Sequence, residues 1–117
     1  MLALPVASQA ATTETNFQLA SGADLAALCG AQPDEKLYTA AQNFCEGFAV
    51  GVYSVLVKEE AAGGVKTFCL PNPAPTRDQA KTDYVTFIAQ TPKAASAVPE
   101  DSVLLFLQTK YPCGGKP

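Results

Sequence analysis

Histidine and tryptophan are absent from this 117-residue chain, and arginine occurs once, at Arg77. Without histidine, the chain lacks the side chain that most often serves as general acid or base near neutral pH. A serine or cysteine nucleophile would need some other base beside it. The acidic pairs Glu59-Glu60 and Glu100-Asp101 do not substitute, because glycosidase chemistry needs two carboxyl groups facing each other across a cleft. They read as a solvated helix end and as first-turn charges. The sequence therefore argues against an enzyme.

Other absences narrow the class further. No two cysteines form a C-x-x-C pair and no histidine can complete a mixed site, so no metal and no cofactor is expected. Gly63-Gly64 and Gly114-Gly115 lack the strand–loop–helix setting of a phosphate loop and read as a turn and a tail. Basic residues never cluster, and the balance of 8 basic to 11 acidic side chains is mildly acidic. That excludes the counterion-displacing stripe a nucleic-acid partner requires. The uninterrupted apolar run, Phe48 to Val57, is about half the ~20 residues a membrane span needs, so none is expected. Strand patterns are almost absent.

What the chain does contain is four widely spaced cysteines: Cys29, Cys45, Cys69 and Cys113. An even set without metal-site spacing reads as two long-range disulfides formed in an oxidising compartment. In a domain this small each contributes about 3–4 kcal/mol on the chain-entropy model. The start of the chain agrees. Residues 1–10, MLALPVASQA, resemble the tail of a secretory signal peptide with its small-residue cleavage site. Residues 1–16 are set apart as that remnant or a flexible N-terminus, residues 17–113 form one domain, and residues 114–117 are a flexible tail.

The domain reads as all-α, with four helices, or five with a short extra turn, stapled by two disulfides. Ser21 caps an opening helix that carries Asp24 in its first turn and stops at Gly30. A second helix is expected from Pro33-Asp34-Glu35 to about Glu60. Leu37, Ala41, Phe44, Cys45, Phe48, Val52 and Leu56 recur along it at helical spacing. Its second half is apolar on nearly every side, which predicts a central, largely buried helix with close packing at Gly47 and Gly51. A stiff loop follows through Pro71-Asn72-Pro73-Ala74-Pro75. Thr76 to Gln79 form a capping box for a third helix, with Ala80, Tyr84, Phe87 and Ile88 on its core face and Thr91-Pro92 ending it. The last helix opens on Pro99, Glu100 and Asp101 and buries Val103, Leu104, Phe106 and Leu107. The four tyrosines are expected at the core edges with their hydroxyls outward.

Several ordered motifs carry a resemblance. Gly22-x-Asp24-Leu25-x-x-Leu28-Cys29 comes first, then Cys45-x-Gly47-Phe48-x-x-Gly51, then Phe68-Cys69-Leu70-Pro71. Tyr84-Val85-x-x-Ile88, Thr91-Pro92 and the terminal Leu107-x-x-x-Tyr111-Pro112-Cys113 complete the set. In order and spacing, from Phe17 to Cys113, they resemble the Rap/Tai immunity-protein family. That resemblance implies a small helical periplasmic protein, commonly dimeric, that protects a bacterium from a cell-wall amidase effector delivered by type VI secretion. The chain departs from the family where an acidic residue often follows the second glycine; here Val52-Tyr53-Ser54 follows Gly51.

On that reading the mechanism is occlusion. The candidate partner-binding surface is the polar connection between the last two long helices, with Gln90, Lys93, Ser96, Glu100 and Asp101 as its contact residues. The Val65–Pro75 segment is a second candidate. Four cysteines allow three connectivities. The favoured one is Cys29–Cys45, tethering the opening helix to the second, with Cys69–Cys113, tying the proline-rich loop to the last helix. Two alternative functions fit the same composition: a periplasmic holdase chaperone that exposes apolar surface in acid, and a small-ligand carrier with an apolar cavity between its helices.

Overall fold

The computed structural model describes residues 11–114. After a 3-10 turn at Glu14–Gln18, five helices follow: α1 (Gly22–Cys29), α2 (Tyr38–Ala61), α3 (Arg77–Gln90), α4 (Pro92–Ser96) and α5 (Pro99–Lys110). The described residues hold no strand. The short extra helix is α4, folded inside the connection between α3 and α5. Residues 1–10 and 115–117, where most of the expected signal-peptide remnant or flexible N-terminus and most of the expected tail fall, lie outside the described residues.

Caps set the boundaries where the sequence placed them. The Ser21 hydroxyl accepts the Asp24 N–H at 3.3 Å, and the Thr76 hydroxyl accepts the Gln79 N–H at 3.1 Å. Each satisfies one of the four donors a helix start leaves open. Pro99 opens α5 with Glu100 and Asp101 in its first turn. The start of α2 differs from expectation: it begins at Tyr38, and turns fill the stretch from Pro33. The Glu35 carboxylate explains this. It accepts the backbone N–H of Gln32 at 2.8 Å and of Thr12 at 2.7 Å, folding the segment back instead of opening a helix. Those same bonds hold the Glu35 carboxyl below its ordinary range. They also bring the N-terminal segment into the fold ahead of Phe17. Thr12 is buried, and its hydroxyl donates to the Ala27 carbonyl at 2.9 Å.

The core gathers around α1. Leu25 and Leu28 are almost fully enclosed, and Ile88, Val103, Phe106 and Leu107 close over them from α3 and α5. Phe106 is the hub of the aromatic packing, meeting Tyr84, Phe87 and Tyr111 edge-on with centroids 5.6–6.0 Å apart. The disulfides are Cys29–Cys45 and Cys69–Cys113, as favoured from the sequence. The first joins the end of α1 to α2. The second holds the proline-rich segment to the chain beyond α5, beside a backbone bond from Cys69 N–H to the Tyr111 carbonyl at 2.8 Å.

Three expectations about burial are corrected. The second half of α2 is not a buried central helix: only Ala41 and Cys45 are buried along its 24 residues. Phe44, Val50, Tyr53, Val55 and Val57 are exposed, Val55 to 56%. The reason is length. A 24-residue helix runs about 36 Å, whereas α1, α3 and α5 have 8, 14 and 12 residues and cannot cover it on all sides. Nor does anything pack at Gly47 or Gly51, where an added Cβ would meet nothing within 4 Å. The glycine packed tightly against other helices is Gly22, whose Cβ would lie 2.7 Å from that of Ser102 and collide with the Ala94 carbonyl. Finally, Tyr84 and Tyr111 turn inward, at 5% and 7% exposure.

Candidate partner-binding surface

The connection from α3 to α5 is a rigid ledge. Pro92 starts α4 and Pro99 starts α5, so the backbone is restricted at both ends. Ala94 on α4 is completely buried, and the Gly22 N–H donates to the Ala97 carbonyl at 2.8 Å. Underneath runs a buried chain of hydrogen bonds. The Ser102 hydroxyl donates to the Pro99 carbonyl at 2.6 Å, which leaves its oxygen to accept the Tyr84 hydroxyl at 2.6 Å. The Gly22 carbonyl, 3.3 Å from Tyr84 Oη, is a second acceptor for the same proton.

Burial pushes the Tyr84 hydroxyl up to about 12, against a small opposing effect of its bond to Ser102. The phenol therefore stays protonated and keeps donating. Because the folded value lies above the ordinary 10.0, its stabilisation is complete below pH 10 and is lost as pH climbs from 10 to 12. Stability should fall there by about 1.4 kcal/mol per pH unit from this group. Urea melts at pH 9, 10.5 and 12 check it: Tyr84→Phe should show a shallower decline than wild type across that window, and an identical decline would count against the buried donor.

All five sequence-predicted contact residues lie on this ledge and face solvent. Gln90 ends α3, Lys93 and Ser96 sit on α4, and Glu100 and Asp101 on the first turn of α5. Ser96 is turned inward chemically, since its hydroxyl donates to the Pro92 and Lys93 carbonyls at 3.2 and 3.3 Å. Two features went unseen in the sequence. Val98 stands 48% exposed between Ser96 and Pro99, an apolar tip on an otherwise polar ledge. Its signal was a lone β-branched residue in a connector. The other is an apolar groove along α2, lined by Gly47, Phe48, Gly51, Val52, Val55 and Leu56, with Glu100 at its edge. Its signal, the all-round apolar run, was present but read as burial.

A second polar assembly braces the opposite side of α2. The Lys81 ammonium donates to Gln42 Oε1 and Glu46 Oε2, each at 2.6 Å, and lies 3.3 Å from Asp78. Gln42 in turn donates to the Leu28 and Cys29 carbonyls, closing the end of α1. Burial lowers the Lys81 pKa, but its bonds to Glu46 and Asp78 outweigh that and leave it raised. The bond from Lys81 holds the Glu46 carboxyl below its ordinary range. One lysine thus ties α1, α2 and α3 together. Among the described residues no three side chains gather as a metal site, and no helix is long and apolar enough to cross a membrane.

The model of the family described as Rap1a immunity proteins matches residues 21–113. No curated protein and no solved structure matches.

Proposed function

The chain belongs to the Rap1a immunity protein family, and from that premise we propose that it neutralises a cell-wall amidase effector in the periplasm by occluding it. Family membership makes a protein effector the partner; the amidase class and the compartment are the finer parts of the reading. Two disulfides and no free cysteine among the described residues support an oxidising compartment. The reading assigns the chain no chemistry of its own.

The observation that carries the proposal is the rigid ledge. Ala94 and Ser102 are both fully buried beneath it, so Gln90, Lys93, Glu100 and Asp101 project from a preorganised base. Little ordering entropy is then lost on binding, and an exposed, preorganised ledge suits contact with an active-site cleft. Glu100 and Asp101 face solvent and suit a basic rim on the effector. The double variant Glu100→Gln/Asp101→Asn keeps shape and removes charge. It should weaken inhibition of the effector about 10- to 100-fold, chiefly through slower association at low salt. Unchanged inhibition constants at low and high salt would remove these two acids from the interface.

The α2 groove supports a second part of the reading, a homodimer. Val55 is the most exposed apolar residue of α2, and the two glycines beside it would let another backbone approach closely. A self-complementary pairing of two α2 helices follows the usual symmetry of small oligomers. Gly51→Leu is a clean probe, because a Cβ there meets nothing within 4 Å in the single chain. Sedimentation velocity should give a dimer for wild type and a folded monomer for Gly51→Leu. A wild-type monomer at tens of micromolar would dismiss the pairing.

A further inference from the structure

The face of α2 turned away from its glycines borders a cleft of about 410 Å³, within the size range of small-molecule sites. Glu46, Ala49, Val50 and Tyr53 recur along that face at helical spacing and form one wall. Ala80 and Tyr84 of α3 form another, and Leu70 and Pro75 bring the proline-rich segment to its side. The floor is the protein's own core: Leu25, the Cys29–Cys45 bridge, Val103, Phe106 and Leu107, all buried. Val50, Tyr53 and Leu70 are exposed, so the apolar lining runs from the core out to solvent. An apolar space of this size forfeits the dispersion contacts a filled one would make, and water inside it finds few partners.

The polar groups around this cleft differ in how far their bonding capacity is used. Lys81 has three N–H donors. Gln42 Oε1 and Glu46 Oε2, each at 2.6 Å, and Asp78 Oδ1 at 3.3 Å occupy them. The Tyr84 hydroxyl is committed to Ser102, and the Thr76 hydroxyl accepts the Gln79 N–H. Arg77 is the exception. Its guanidinium carries five N–H donors, and its contact with Glu46, Nη1 to Oε1, spans 3.5 Å, longer than a good hydrogen bond. The side chain is 70% exposed, so the unused donors are open to a ligand. The charges that line the cleft are two cations, Arg77 and Lys81, against the single carboxylate of Glu46. Asp78 meets Lys81 from outside that lining, with its side chain 93% exposed and its charge screened by water. The mouth therefore favours an anion, and the planar donor fork of an arginine suits a carboxylate.

We infer that this cleft binds a single-chain, medium-length amphiphile with a carboxylate head, the head pairing with Arg77 and the alkyl tail lying against Ala49, Val50 and Ala80. Space sets the tail. About eight carbons take ~240 Å³ at roughly 30 Å³ each, and two such tails exceed the cleft. A lipid with two acyl chains is thereby excluded. None of the ledge's contact residues and none of the residues of the glycine groove line this cleft. Effector binding and pairing of chains can fail without touching it.

The test titrates the oxidised full chain at neutral pH and low salt with octanoate, 1-octanol and octylammonium, which share one tail and differ in the head. Chemical shifts should report saturable one-to-one binding of octanoate, about tenfold tighter than octanol, with octylammonium weakest. The changes should centre on Ala49, Arg77 and Ala80. Arg77→Gln should weaken octanoate about tenfold and leave octanol unchanged, a loss confined to the anion that a general disturbance of the fold would not produce. Ala49→Phe, which fills the cleft from a half-buried position, should abolish binding of both, with the circular-dichroism spectrum and melting cooperativity retained. If Ala49→Phe does not fold, the Arg77→Gln comparison decides. Equal affinities for octanoate and octanol, an octanoate affinity unchanged in Arg77→Gln, or partitioning that never saturates would overturn the inference. So would octanoate binding that weakens as protein concentration rises, which would give the cleft to a second copy of the chain.

Discussion

Reduction of both disulfides should unfold the domain at ordinary temperature. Cys29–Cys45 closes 16 residues and Cys69–Cys113 closes 44. Chain entropy alone assigns the first about 3 kcal/mol and the second about 4 kcal/mol at 25 °C. Together these approach the whole stability of a domain this size, about 5–15 kcal/mol. The two losses are not alike. The Cys69–Cys113 bridge anchors a long segment with little other attachment, since Phe68 is its only buried residue from Val65 to Pro75. Removing it with Cys69→Ser/Cys113→Ser should release that segment and lower the melting point while the core of α1, α3 and α5 still folds. Removing Cys29–Cys45 instead uncouples α2 from α1 at the two positions where both cysteines are buried. Thermal melts followed by circular dichroism, with and without a phosphine reductant, check the total. A melting point that moves by only a few degrees on full reduction would show that packing alone sustains the fold.

Gly22→Ala should be strongly destabilising. The new Cβ would come within 2.7 Å of Ser102 Cβ and collide with the Ala94 carbonyl, which is backbone and cannot swing aside. Overpacking of this kind costs about 1–3 kcal/mol, occasionally more. The position matters more than the sum. Gly22 also donates its N–H to the Ala97 carbonyl and offers its carbonyl to Tyr84. Pushing α1 away from α4 therefore loosens the base of the ledge. The same substitution at Gly47 or Gly51, where nothing is met, should stabilise the single chain by about 0.5–1 kcal/mol through helix propensity. Chemical denaturation of the three alanine variants side by side gives opposite signs on this account. A Gly22→Ala protein as stable as wild type would mean that α4 does not sit where the ledge requires.

Much of the architecture could be read from residues acting locally. Ser21, Thr76 and Pro99 set helix starts because capping and a fixed φ are properties of the segment itself. The cysteine pairing followed from which ends needed tethering. The misreadings all involved partners distant in sequence. Glu35 reaches Thr12 across 23 positions and so moved the start of α2 to Tyr38. The run Phe48 to Val57 carries no mark to distinguish a helix buried in its own domain from one left exposed. Tyr84 and Tyr111 have the same composition as surface tyrosines; only Ser102 and Gly22, brought up by the fold, give Tyr84 an interior partner. That Gln90, Lys93, Ser96, Glu100 and Asp101 would lie exposed was legible because they belong to a polar connector bounded by Pro92 and Pro99. Val98 was not, because its exposure depends on the turn into α5.

We propose that a preformed ledge blocks an amidase. The most direct measurement titrates the oxidised protein into a panel of periplasm-targeted peptidoglycan amidases and follows turnover of a muropeptide substrate. The account predicts that at least one amidase is inhibited stoichiometrically, that Glu100→Gln/Asp101→Asn weakens the inhibition about 10- to 100-fold, and that Gly22→Ala weakens it as well. Full activity of every amidase at a molar excess of folded, oxidised protein would contradict the amidase assignment. Inhibition untouched by both variants would contradict the ledge.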